Sequence, residues 1–146
     1  MWLPQTAEYA LRAMAVLARA PSGAVLAGAD LAQLARIPPP YLSKVMRRLV
    51  VAGLARGRRG SGGGFSLARP PASIRLADVL EAVDVAVTER RCAFAWTTCR
   101  DDRPCPLHPL WADLRARQRE WAEETTLDQV DATDSPSRGG TRDADP

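Results

Sequence analysis

Lysine and histidine each occur once in this 146-residue chain, as Lys44 and His108. No uncharged apolar run approaches the ~18–20 residues that a membrane span needs. The opening residues do not read as an export signal: Glu8 and Arg12 interrupt them, and the apolar run Ala13–Ala18 is too short. A cytoplasmic location is therefore expected. With only three cysteines and no export signal, a disulfide framework is not expected, and metal or redox chemistry becomes the better explanation for them. The glycine-rich stretch GSGGG lacks the Gly-Lys-Ser/Thr ending of a phosphate-binding loop and does not precede a helix, which argues against nucleotide binding. No acid–base or nucleophile constellation surrounds His108, so an enzyme is not expected. The chain has no internal repeat.

The remaining composition, 46% hydrophobic and 25% charged, is that of one globular unit with room for a single core. The formal charge of +3 conceals a polarity. Residues 1–75 hold eleven bases against two acids, Glu8 and Asp30, a net +9; residues 76–146 hold nine bases against fifteen acids, a net −6. No acid lies between Arg36 and Arg59. A basic module that meets a polyanion, joined to an acidic module with another task, fits this distribution.

Hydrophobic periodicity predicts a helix over 6–19, with Thr6 as N-cap and Tyr9, Ala13, Val16 and Leu17 on one face. A short helix over 28–36 would turn Leu31, Leu34 and Ala35 inward. After a turn at Ile37-Pro38, Pro39 and Pro40 suit the first turn of a third helix reaching Ala52. That helix places Leu42, Val45, Met46 and Leu49 on one face and leaves Ser43, Lys44, Arg47 and Arg48 off it. Two helices across a tight turn, the second apolar inward and basic outward, form a helix-turn-helix. Two short strand-like segments, 54–56 and 65–68, flank GRRGSGGG and form a hairpin wing headed by Arg58 and Arg59. An amphipathic helix over 74–83 and a long helix from about 109 to 125 follow. The long helix carries Leu110, Trp111, Leu114 and Trp121 on a stripe that suits a second subunit. The fold class expected is mainly α with a small β-hairpin: a winged helix-turn-helix (1–70), a dimerisation and metal-binding region (71–127) with its long helix over 109–126, and a disordered tail (128–146).

Every cysteine and the histidine fall in the irregular stretch 85–108, spaced Cys92-x6-Cys99-x5-Cys105-Pro-Leu-His108. Three thiolates and an imidazole can wrap a metal centre, and both iron–sulfur clusters and zinc accept this donor set. Structural zinc sites favour tighter cysteine spacing, and loops of five and six residues suit a larger object. Arg90, Arg91, Arg100 and Arg103 would favour thiolates and an anionic cluster. Zinc, thiol/disulfide switching and incidental cysteines are the alternatives.

In this order, TAEYALRA, IPPPYLSKVMRRL, AGLARGRRGSGGGFSLAR, IRLADVLEAV and the loop ending CPLH-PLW resemble the Rrf2 family of bacterial winged-helix transcription regulators, whose iron–sulfur members include IscR-like and NsrR-like types. The resemblance spans about residues 5 to 127. It implies a homodimer whose third helices and wings contact double-stranded DNA, with long C-terminal helices crossing between subunits. It also implies a cluster on Cys92, Cys99, Cys105 and His108, two-iron in the IscR-like pattern. The first cysteine interval departs from that pattern, with six residues where five are usual. In the NsrR-like pattern a four-iron cluster takes an acidic residue from the partner's first helix, and Glu8 stands at that position. Lys44, Arg47, Arg48, Arg58 and Arg59 are then the expected phosphate contacts. Tyr41, Ser43 and the wing's Ser61 complete the expected DNA-facing set, Arg47 being the candidate for a guanine. The functional expectation is a repressor or dual regulator whose DNA affinity follows the cluster's state.

Overall fold

The computed structural model describes residues 3–85, 92–94 and 100–130, which hold five α-helices and one two-stranded hairpin. Helix α1 (Gln5–Arg19) runs through the middle of the core. Its Ala7, Ala10, Ala13 and Met14 are fully buried. Small side chains on that face let α2 (Gly28–Ala35), α3 (Pro39–Val51) and α4 (Leu76–Ala82) pack closely around it. The helix opens at Pro4, whose carbonyl accepts the N–H groups of Ala7 and Glu8 at 2.9 and 3.1 Å. Thr6 therefore lies inside the helix and caps nothing, because the fixed φ of Pro4 already starts it one residue earlier.

In α2 the buried face is Leu31, Ala32 and Ala35. Leu34, expected inward, is 59% exposed, since it lies about 110° around the helix from the middle of that face. A Schellman motif ends α2: Arg36 takes a left-handed backbone (φ 54), and the N–H of Ile37 reaches Ala32 O at 2.9 Å. Ile37 is thereby tucked into the core. Pro39 and Pro40 open α3, and Leu42, Val45, Met46 and Leu49 are buried as the spacing predicts. The same motif ends α3 at Gly53 (φ 74), where Leu54 N–H donates to Leu49 O at 3.0 Å.

Strands β1 (Ala55–Arg58) and β2 (Gly64–Leu67) pair antiparallel from Ala55↔Leu67 to Arg58↔Gly64. The hairpin is stitched to the segment before α2, where Leu26 and Phe65 exchange backbone hydrogen bonds of 2.9 and 2.8 Å. A Cβ on Gly64 would stand 1.9 Å from Leu26 O, so only glycine lets the two backbones meet. Gly64→Ala is expected to cost more than ~2 kcal/mol, read as a lowered urea midpoint.

Helix α4 begins two residues later than its apolar pattern suggests. Ile74 and Arg75 stay extended because they pair with the chain leaving the last helix, α5 (His108–Glu124): Leu76 N–H donates to Thr125 O and Leu127 N–H to Ile74 O, both at 2.9 Å. Asp78 in the first turn accepts the Arg75 N–H at 2.9 Å and pairs with the Arg75 guanidinium at 2.8 Å. Burial works against its charged form, yet the Arg75 side-chain and backbone hydrogen bonds win and hold its carboxyl below the usual carboxylate range. The sign follows: this contribution is complete above the ordinary carboxylate pKa of ~4 and is lost as pH falls through the lowered value. Asp78→Asn should lower stability most at neutral pH and flatten the acid limb of a stability–pH curve, its deficit vanishing as pH falls through the lowered value.

A third Schellman motif ends α4, with Asp84 (φ 61) in the left-handed position and Val85 N–H donating to Leu80 O at 3.0 Å. The described parts of 85–107 form turns and bends only. Beyond α5, a 3-10 turn (Leu127–Gln129) buries Leu127. Order thus extends into the start of the expected tail, whose residues 131–146 lie outside the described ones. No helix among the described residues is long and apolar enough to cross a membrane.

Candidate DNA-binding face and cysteine loop

Burying one face of α3 sends Tyr41, Ser43, Lys44, Arg47 and Arg48 to the outside. Lys44 and Arg47 are exposed, as are Arg58 and Arg59 at the end of β1 and Ser61 at the wing tip. No acid among the described residues pairs with Lys44, Arg47, Arg58 or Arg59. Two residues of the expected set are partly engaged within the protein. Ser43 Oγ donates to Pro39 O at 3.3 Å, one turn back in its own helix. Tyr41, half exposed, packs its ring 5.9 Å from that of Tyr9, so packing between α1 and α3 accounts for part of its surface. Lys44 Nζ sits 5.8 Å from the Tyr41 ring centre, and Arg12 lies at the same distance from the Tyr9 ring. A recess bordered by Gln5, Thr6, Tyr9, Tyr41, Lys44 and Arg48 results, so the start of α1 joins this face. Arg48 pairs with Asp84 at 2.8 Å, a contact that sequence spacing does not signal.

On the loop, Cys92 is buried and Cys105 half-buried, with their sulfurs 3.8 Å apart. Cys99 lies outside the described residues. His108 opens α5, its N–H donating to Cys105 O at 2.9 Å, and its Nε2 lies 3.1 Å from Asp101 Oδ1. Among the described residues no three potential ligand side chains converge. Glu8, on α1, sits 3.7 Å from Arg12 of the same helix. Two sulfurs bound at ~2.3 Å to one tetrahedral metal stand ~3.8 Å apart. A disulfide needs ~2.05 Å. The Cys92–Cys105 separation is that of two unbridged sulfurs in contact, a distance that two thiolates on a shared metal would also have.

The family model described as "Rrf2: Iron-dependent Transcriptional regulator" matches residues 3–133. The chain belongs to the Rrf2 family. An HTH-type transcriptional regulator of Mycobacterium tuberculosis is 39% identical over 130 residues, covering 89% of this chain and 81% of that protein. The HTH-type transcriptional regulator IscR of Escherichia coli is 32% identical over 130 residues, covering 89% and 80%. In fold, the chain is similar to CymR, the global cysteine regulator of B. subtilis (TM-score 0.73, 23% identity, 88% of this chain and 94% of that one). It is also similar to T. potens IscR (TM-score 0.68, 22% identity, 88% and 84%). The Rrf2 chain is accordingly a winged-helix, DNA-binding transcriptional regulator and not an enzyme.

Proposed function

We infer that this Rrf2 protein is a homodimeric repressor whose hold on promoter DNA follows the state of an iron–sulfur cluster on its cysteine loop. The 3.8 Å Cys92–Cys105 pair carries the sensing half of this reading. Cys92, Cys99 and Cys105 would hold the cluster, with His108 as fourth ligand in a two-iron form or the partner subunit's Glu8 in a four-iron form. The cluster would supply an oxidisable centre that fastens the loop between α4 and α5. On the DNA side, Lys44 and Arg47 on α3 and Arg58 and Arg59 on the wing supply phosphate contacts, with Tyr41 and Ser61 beside them. Arg47, exposed on α3, would read a guanine edge, worth ~1–3 kcal/mol of discrimination.

Anaerobically purified protein should be coloured, and Cys92→Ser or Cys105→Ser should remove the visible absorption altogether. The fourth ligand is distinguished by His108→Ala against Glu8→Ala: the variant that changes the cluster's spectrum names the ligand. A colourless wild type with stoichiometric zinc would establish the second reading, a zinc- or thiol-based regulator using the same cysteines, which the same sulfur separation also accommodates.

A further inference from the structure

Folding brings one carboxylate into the basic run that the sequence leaves free of acids. Asp84 Oδ2 accepts a hydrogen bond from Arg48 Nη1 at 2.8 Å, across 36 positions of sequence. The two side chains border a recess between α3 and α4, together with Lys44, Arg47 and Ala82. Both are accessible: the Asp84 side chain is 83% exposed and that of Arg48 47%. A negative charge therefore stands on the surface where an arriving phosphate would meet Arg48.

The backbone under Asp84 makes its identity informative. It holds the left-handed position of a helix-ending motif, φ 61, which glycine takes without cost and other residues do not. At the end of α3 glycine occupies that place, as Gly53, and at the end of α2 an arginine does, Arg36. Aspartate is among the few side chains that tolerate that backbone, and an exposed ion pair adds little to stability, so the Arg48–Asp84 contact can open at small cost.

We propose that Asp84 is a built-in competitor of DNA phosphate for Arg48, an inference that rests on the DNA-binding reading above. With the pair closed, Arg48 is neutralised and the carboxylate repels the phosphate backbone. With it open, Arg48 joins Lys44 and Arg47 as a further phosphate contact. Asp84 also stands where α4 ends, eight residues before Cys92 in sequence.

The test uses the full chain, fluorescence anisotropy with a labelled mixed-sequence DNA duplex, and a series of salt concentrations. Asp84→Asn keeps a side chain that tolerates the left-handed backbone and removes its charge; Asp84→Gly removes the side chain entirely. Both variants should bind about five- to tenfold more tightly at low salt, with a log–log salt slope steeper by ~0.9 for each subunit. In an Arg48→Ala background, Asp84→Asn should change affinity by less than about twofold, because no guanidinium remains to release. Wild-type affinity and slope in both Asp84 variants would overturn the proposal. So would equal tightening in the Arg48→Ala background, which would reduce the effect to net charge. Absence of duplex binding by wild type and variants alike would refute the DNA-binding reading itself and this inference with it; binding gained only by the variants would support the competitor.

Discussion

Raising salt from about 50 to about 200 mM is expected to weaken the binding of duplex DNA by ~10⁴-fold. The size follows from counting the cations that are free to meet phosphate. Lys44, Arg47, Arg58 and Arg59 are exposed and unpaired by any acid among the described residues, whereas Arg48 is held by Asp84. Four such groups in each subunit of a dimer give about eight contacts and a log–log slope near −7, with the released counterions as the driving force. Five per subunit would steepen the slope to about −9, so the titration also reports whether Arg48 takes part. A slope near zero would show that the basic face does not meet the DNA backbone. Arg47→Ala should relax sequence preference as well as make the slope shallower by ~0.9 for each subunit, whereas Lys44→Ala should change the slope alone.

The second large effect is expected from the surface of α5. Ala122 is the buried residue of that helix, while Leu110, Leu114 and Trp121 are 76, 38 and 42% exposed. Positions 110, 114 and 121 fall within about 40° of one another around a helix, so they form one continuous stripe. Beside Trp121 and Leu114, Leu3, Arg117 and Gln118 complete the lining of a mostly apolar recess. A helix this polar elsewhere has no reason to expose such a stripe unless a second surface covers it, and the homodimer reading supplies a second copy. Leu114→Asp combined with Trp121→Asp should yield monomers by light scattering at micromolar concentration. Loss of the second DNA-binding head should then weaken operator binding by ~10²–10⁴-fold, the usual range of avidity for two linked sites. Because neither residue lies in the main buried core, the far-ultraviolet circular dichroism of the monomer should stay that of the folded chain. A double variant that remains dimeric would remove α5 from the interface.

Local spacing was a good guide wherever one face of an element decides its position. The four apolar residues of α3 are the four it buries, and the glycine-rich turn between short strands is the hairpin expected. The misplaced details share a physical cause: they depend on partners distant in sequence. Leu34 has the character of a core residue, but the arc of α2 that meets α1 is set by Leu31, Ala32 and Ala35. Ile74 and Arg75 fit a helical pattern yet are drawn into extended pairing by residues 125–127. Leu127 is a lone apolar residue at the edge of a polar segment, and only its contact with the core shows why order continues there. In the candidate site, the bases of α3 and the wing were legible from composition and periodicity. The Arg48–Asp84 pair was not, because nothing in either segment announces the other. The cysteine spacing marked out a ligand set, but the nearness of Cys92 to Cys105 required the fold.

The stitch between Leu26 and Phe65 has a bearing on what kinds of operator this regulator can accept. It welds the wing to the chain just before α2, and the close approach at Gly64 leaves no slack for a hinge. The distance from α3 to Arg58 and Arg59, the two elements proposed to meet DNA, is therefore held by this stitch and adjusted mainly by the reach of two side chains. A fixed span acts as a caliper on the double helix. In the proposed complex, sequences whose backbone phosphates stand at the wrong spacing for that span would be penalised even at base pairs that no side chain touches.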